Sequence, residues 1–161
     1  MKMRRQPNSW SCVLASAAMV LDTDCKSLIE MIGHDGSEIV LPSLPEPAKR
    51  RGFHLQEIID CAIRLSYTVT PIETLPYSTP DGKAEFPVDF QISRESRLTN
   101  YMNNSKGIIT GLARKFRHAV AWNGSKIYDP HGLIYPFNDC KIEIDCFWMF
   151  KYYDMIVGED Y

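Results

Sequence analysis

Apolar residues recur first at a helical period and later in alternation. From Ser11 to Asp22 the chain is apolar nearly all round and rich in alanine, leucine and methionine. That pattern predicts a central buried helix, with Asn8, Ser9 or Ser11 available as its N-cap. Lys26 to Ile32 predicts a short second helix ended by Gly33. Pro42, Pro45 and Pro47 lie close together, so residues 33–52 read as a loop. Leu55, Ile58, Ile59, Ala62, Ile63 and Leu65 repeat at helical spacing and predict a third helix over 54–66. Tyr67 to Thr70 then reads as a strand, with Pro71 just after it.

Residues 71–90 carry four prolines and the turn pair Asp81-Gly82, which predicts a long surface loop. Ser93 to Met102 fits an amphipathic helix, and Gly107 to Leu112 a buried strand. Two runs, His118 to Trp122 and Ser125 to Asp129, flank Asn123-Gly124. Asn-Gly between such runs predicts a β-hairpin closed by a type I′ turn. Further strands are expected near 133–135, 141–145 and 152–157. Helices first and strands later predict an α+β fold with an antiparallel sheet.

Composition narrows the class. The 161 residues suit one domain spanning 1–161, and the net charge of −2 gives no electrostatic reason to expect a nucleic acid or an anionic membrane as partner. The longest nearly apolar run, Val13 to Leu21, is about half a membrane span. The N-terminus, Met1-Lys2-Met3-Arg4-Arg5, is basic, but the apolar stretch behind it leads into Asp22-Thr23-Asp24 without a small-residue cleavage site. Five cysteines, an odd number with no Cys-x-x-Cys pair, argue for free thiols in a reducing cytoplasm and against a zinc ribbon.

The hairpin carries the first chemical signal. A two-residue Asn123-Gly124 turn pairs Ala119 with Tyr128 and His118 with Asp129. Opposed residues share a face with their Cβ atoms about 5 Å apart. An imidazole beside a carboxylate is the base and orienting group of a nucleophilic triad. On an exposed face the same two residues would be a plain surface pair. The nucleophile candidate is Cys12, which opens the buried helix where the helix N-terminus favours a thiolate. The alternative for Cys12 is simple packing. Gln6 lies six residues before Cys12 across a Pro7-Asn8 turn. Its amide and the Cys12 backbone N–H are candidates for two oxyanion donors.

Gln6, Cys12, His118 and Asp129, in this order, resemble a papain-like cysteine peptidase. The likeness is nearest to the bacteriocin-processing, C39-type branch, through Gln6, Cys12 with Ala18-Met19-Val20-Leu21, Gly107 to Gly111, His118-Ala119-Val120 and Asp129-Pro130. It covers roughly residues 4–131. Ser11-Cys12-Val13 stands where that branch has Asp-Cys-Gly, and Trp10 lies two residues before the cysteine where papain has an aromatic just after it. The resemblance implies a helical half carrying Cys12 packed on a sheet carrying His118 and Asp129. It implies thiol-mediated hydrolysis of a protein or peptide substrate without a cofactor. A deamidase or transglutaminase-like effector, or a non-catalytic binding module, are the alternatives on the same scaffold.

Trp10 and Trp122 are the candidates for lining the substrate cleft, and Trp148 reads as core. His131, next to Asp129-Pro130, competes with His118 for the histidine role, but in a Pro-His-Gly turn it reads as a surface turn residue. His34 and Asp35 read as solvated, His54 as structural, and Lys49-Arg50-Arg51 as a solvated face. The four histidines lack metal-ligand spacing, so no metal site is expected. Only five residues precede Gln6, so no inhibitory propeptide is expected. Restraint would fall to the 71–90 loop, with Tyr77 and Phe86 as peptide contacts; the alternative for this loop is a plain connector between the helical half and the sheet.

Overall fold

The computed structural model describes residues 1–74 and 92–153. The proposed restraining loop, with Tyr77 and Phe86, therefore lies largely outside the described residues. So does most of the strand expected near 152–157.

The chain forms α1 (Cys12–Val20), α2 (Cys25–Ile32), α3 (Leu55–Arg64), β1 (Tyr67–Glu73), α4 (Arg94–Met102), β2 (Lys106–Ala113), β3 (Phe116–Trp122), β4 (Lys126–Asp129), β5 (Leu133–Pro136) and β6 (Glu143–Tyr152). A short 3-10 turn, Phe137–Asp139, precedes β6. The strands make one six-stranded sheet in the order β1-β6-β2-β3-β4-β5, with every neighbouring pair antiparallel. The α+β expectation holds.

Local signals place most of these elements. Asp24 caps α2 by accepting from the Ser27 N–H, and Gly33 closes it. His54 starts α3, where the Glu57 carboxylate accepts from the His54 backbone N–H at 2.9 Å. Ser93 caps α4 through the Ser96 N–H. The structure corrects the C-terminal expectation. A single long strand, β6, runs from Glu143 to Tyr152 where a strand over 141–145 and another starting at 152 were expected. Cys146, Phe147 and Phe150 are buried along it, so the middle of β6 is core.

The core has two parts. One surrounds α1, with Leu14, Ala17, Ala18, Met19 and Val20 packed against Leu28, Ile58, Ala119 and Ala121. The other joins Ile109, Val120, Trp122, Ile127 and Phe147. Small side chains on both sides let α1 sit close to β3. Ser16, fully buried, donates its hydroxyl to the Ala119 carbonyl at 3.1 Å. The close approach of β2 to β6 explains Gly111, where an added Cβ would lie 2.1 Å from the Glu143 carbonyl oxygen. Gly111 pairs with His118, so this contact backs the strand that carries the imidazole.

The hairpin differs from its expected register. Trp122 pairs with Ile127 and Ala121 with Tyr128, a slip of two residues. The turn is centred on Gly124-Ser125. Gly124 has φ +100°, whereas Asn123 lies outside the left-handed region that a type I′ turn demands of it. The Asn123 side chain explains the change. Its Oδ1 accepts from the Ser125 N–H at 2.9 Å and the Lys126 N–H at 2.8 Å, closing the loop from the side. The slip is even, so each residue keeps its face. His118 and Asp129 stay on one face, as diagonal rather than opposed neighbours.

Candidate active site

Cys12 is the first residue of α1, preceded by Ser11, which is fully buried. Ser11 makes no side-chain cap to the helix. Its hydroxyl donates instead to Asn8 Oδ1, and the same oxygen accepts from the Trp10 N–H at 3.3 Å. Asn8 thus ties down the chain leading into the helix. The half-buried Cys12 faces a cleft of about 690 Å³ that it shares with Gln6, His118, Asp129, His131 and Tyr135.

His118 Nε2 lies 3.2 Å from Asp129 Oδ1. Cys12 lines the same cleft, and its side chain acts on the His118 ring. Burial alone would disfavour the imidazolium. The bonds to Asp129 and Cys12, with their charges, outweigh burial and push the His118 pKa up to about 9. Burial likewise disfavours the Asp129 carboxylate, but His118, the His131 backbone N–H and the charges of both rings hold its pKa down at about 2. Asp129 is 8% exposed, so this charge is well shielded from water.

Sequence reasoning missed two partners of that carboxylate. His131 donates its backbone N–H to Asp129 Oδ1, and its Nδ1 lies 2.9 Å from the same oxygen. The Tyr135 hydroxyl donates to Oδ2 at 3.2 Å. The His118 and His131 rings stack with centroids 5.0 Å apart. His131 is therefore part of the site as well as of a surface turn. Asp129-Pro130-His131 was the available signal, since an aspartate commonly accepts from the N–H two residues on.

His118, Asp129 and His131 also place three metal-capable atoms within 4.8 Å of one another, a cluster that helix-based spacing does not reveal. The hairpin and the turn after it bring them together. Both ring nitrogens are engaged with Asp129 Oδ1.

Gln6 is held beside the site by its backbone N–H, which donates to the Pro130 carbonyl at 3.0 Å. Its side chain lines the cleft with Cys12. One amide hydrogen goes to the Asn8 carbonyl at 2.9 Å, which leaves the second Nε2 hydrogen free to donate. The buried Oε1 has no partner.

The two tryptophans are not brought to the cleft wall. Trp122 is 5% exposed in the core, its Nε1 donating to the Met102 carbonyl at 2.9 Å. Trp10 instead pins the 33–52 loop, with its Nε1 on the Asp35 carbonyl at 3.1 Å and the Arg50 guanidinium 4.9 Å over its ring. His34, expected to be solvated, is half-buried. It stacks on Phe53, meets Glu57 Oε1 at 2.8 Å and accepts from the Gly36 N–H. Arg50 is likewise engaged, with Glu46 and the Ser37 carbonyl.

No family model and no curated protein matches the chain. Among the described residues no helix is long and apolar enough to cross a membrane.

Proposed function

We propose that the chain is a cysteine-dependent hydrolase of the papain-like kind, acting on a peptide or isopeptide bond. The observation that carries this reading is that Cys12, at the start of α1, and the hydrogen-bonded His118–Asp129 pair line one cleft. A thiol at a helix start, a buried imidazole and an orienting carboxylate are the parts that nucleophilic acyl transfer needs.

Cys12 attacks the carbonyl carbon and His118 takes its proton. The oxyanion is held by the Cys12 backbone N–H and the free Nε2 hydrogen of Gln6. His118 then returns the proton to the leaving amine, and water, deprotonated by His118, releases the acyl group. Asp129 keeps the ring oriented throughout. The five unpaired thiols favour a reducing compartment, so the enzyme is assigned to the cytoplasm.

The test is incubation of the wild type and Cys12→Ala with a proteome-derived peptide library. New N-termini from the wild type alone support the proposal. Ammonia release without new N-termini would make the chain a deamidase. No Cys12-dependent product of either kind would leave a binding module.

A further inference from the structure

Asp129 closes a tight turn in which its carbonyl accepts from the Gly132 N–H at 2.8 Å. That turn brings His131 back onto its own carboxylate. Oδ1 accepts from the His131 N–H at 2.9 Å and meets the His131 ring at 2.9 Å, while His118 reaches the same oxygen at 3.2 Å. An ionised carboxylate only accepts, so His131 Nδ1 carries a hydrogen. Two imidazoles thus draw on one oxygen, and the His118 contact is the longer. Their rings stack with an interplanar angle of 25°.

We propose that His131 is a positioning residue for His118: it aligns the ring by stacking and, by competing for Asp129, keeps the His118 proton transferable. This rests on the catalytic reading of Cys12, His118 and Asp129. A base that must also return its proton works best when it does not hold that proton too tightly. Cys12 and Asp129 both strengthen the hold of His118 on its proton. His131 opposes them, since each donor it places on Oδ1 weakens the pull on His118. The other charged or titratable groups around the pair are Tyr135 on Oδ2, Arg114, Arg117, Asp139 and Lys141 on the cleft wall, and Arg5, whose guanidinium lies over Gly132.

The test is an NMR titration of the His118 ring in the wild type, His131→Asn and His131→Ala. The His131 side chain is 61% exposed, so neither change is expected to unfold the chain. Asparagine keeps a neutral donor near Asp129, and alanine removes donor and ring together. Loss of the competing ring donor should raise the His118 midpoint by about half to one pH unit in His131→Ala, and by less in His131→Asn. A His131→Ala midpoint that stays or falls would overturn the inference. Turnover of p-nitrophenyl acetate supplies a second readout. Its plateau should fall about three- to tenfold in His131→Ala and less in His131→Asn, which keeps a donor but loses the stack, and plateaus equal to wild type in both would reduce His131 to a turn residue. If the wild type and Cys12→Ala hydrolyse this ester alike, the catalytic reading fails, and the NMR midpoint still decides whether His131 competes for Asp129.

Discussion

Ser16 and Ala119 are 103 residues apart in sequence, yet the Ser16 hydroxyl donates to the Ala119 carbonyl at 3.1 Å in the core. The bond joins α1, one turn past Cys12, to the strand residue next to His118. It ties the helix start to the strand that carries the imidazole. Ser16→Ala should cost about 1 kcal/mol of stability, the net worth of one buried hydrogen bond. Ser16→Val, which also crowds the helix against Ala119, should cost about 1–3 kcal/mol and slow Cys12 alkylation. Denaturant melts with thiol mapping would check both. Unchanged melts in the two variants would remove this bond from the account.

Thiol labelling tests Cys12 against the other four cysteines. Burial raises the pKa of Cys25, Cys61 and Cys140, and pushes Cys146 up to about 11. Cys12 alone has an imidazolium partner. With iodoacetamide at pH 6, Cys12 should react at least about tenfold faster than any other cysteine. His118→Ala should erase that lead. Equal labelling of all five would remove the nucleophile.

Gln6→Ala should lower turnover about 10²-fold with little change in the melting temperature, because one oxyanion donor is lost. A wild-type rate would leave Gln6 only its structural tie to Pro130.

The His118–Asp129 pair makes stability depend on pH with opposite signs at the two ends. Asp129 is held below its ordinary 3.8, at about 2, so its contribution is present above pH 3.8 and lost as pH falls toward 2. His118 is raised from 6.5 to about 9, so its contribution is full below pH 6.5 and lost as pH rises toward 9. Thermal midpoints should therefore be highest between about pH 4 and 6.5. Asp129→Asn should lower that maximum and flatten both limbs. A variant curve parallel to wild type would mean that the pair adds no pH-dependent stability.

Much of the architecture is local and was legible along the chain. The stretch from Val13 to Leu21, apolar but for Ser16, reads as a buried helix, and Asp24, Gly33 and Ser93 mark helix ends through bonds to near neighbours. The candidate catalytic residues were also legible, because parity depends only on counting. His118 and Asp129 remain on one face whether the hairpin register is the expected one or slipped by two. What the sequence could not decide is what depends on groups meeting in space. The Asn123 side chain closes the turn and moves its centre by one residue, a competition between a side-chain and a backbone acceptor. Trp122 and Trp10 are equally aromatic in the sequence. Burial in the core beside Met102 and contact with the 33–52 loop, both long-range packing outcomes, take them from the cleft wall. His131 looks like any turn histidine until the chain folds back and gives it the same oxygen as His118. Periodicity and spacing record which residues can share a face, whereas the single carboxylate that two rings compete for exists only once the hairpin, the turn and the helix start are packed together.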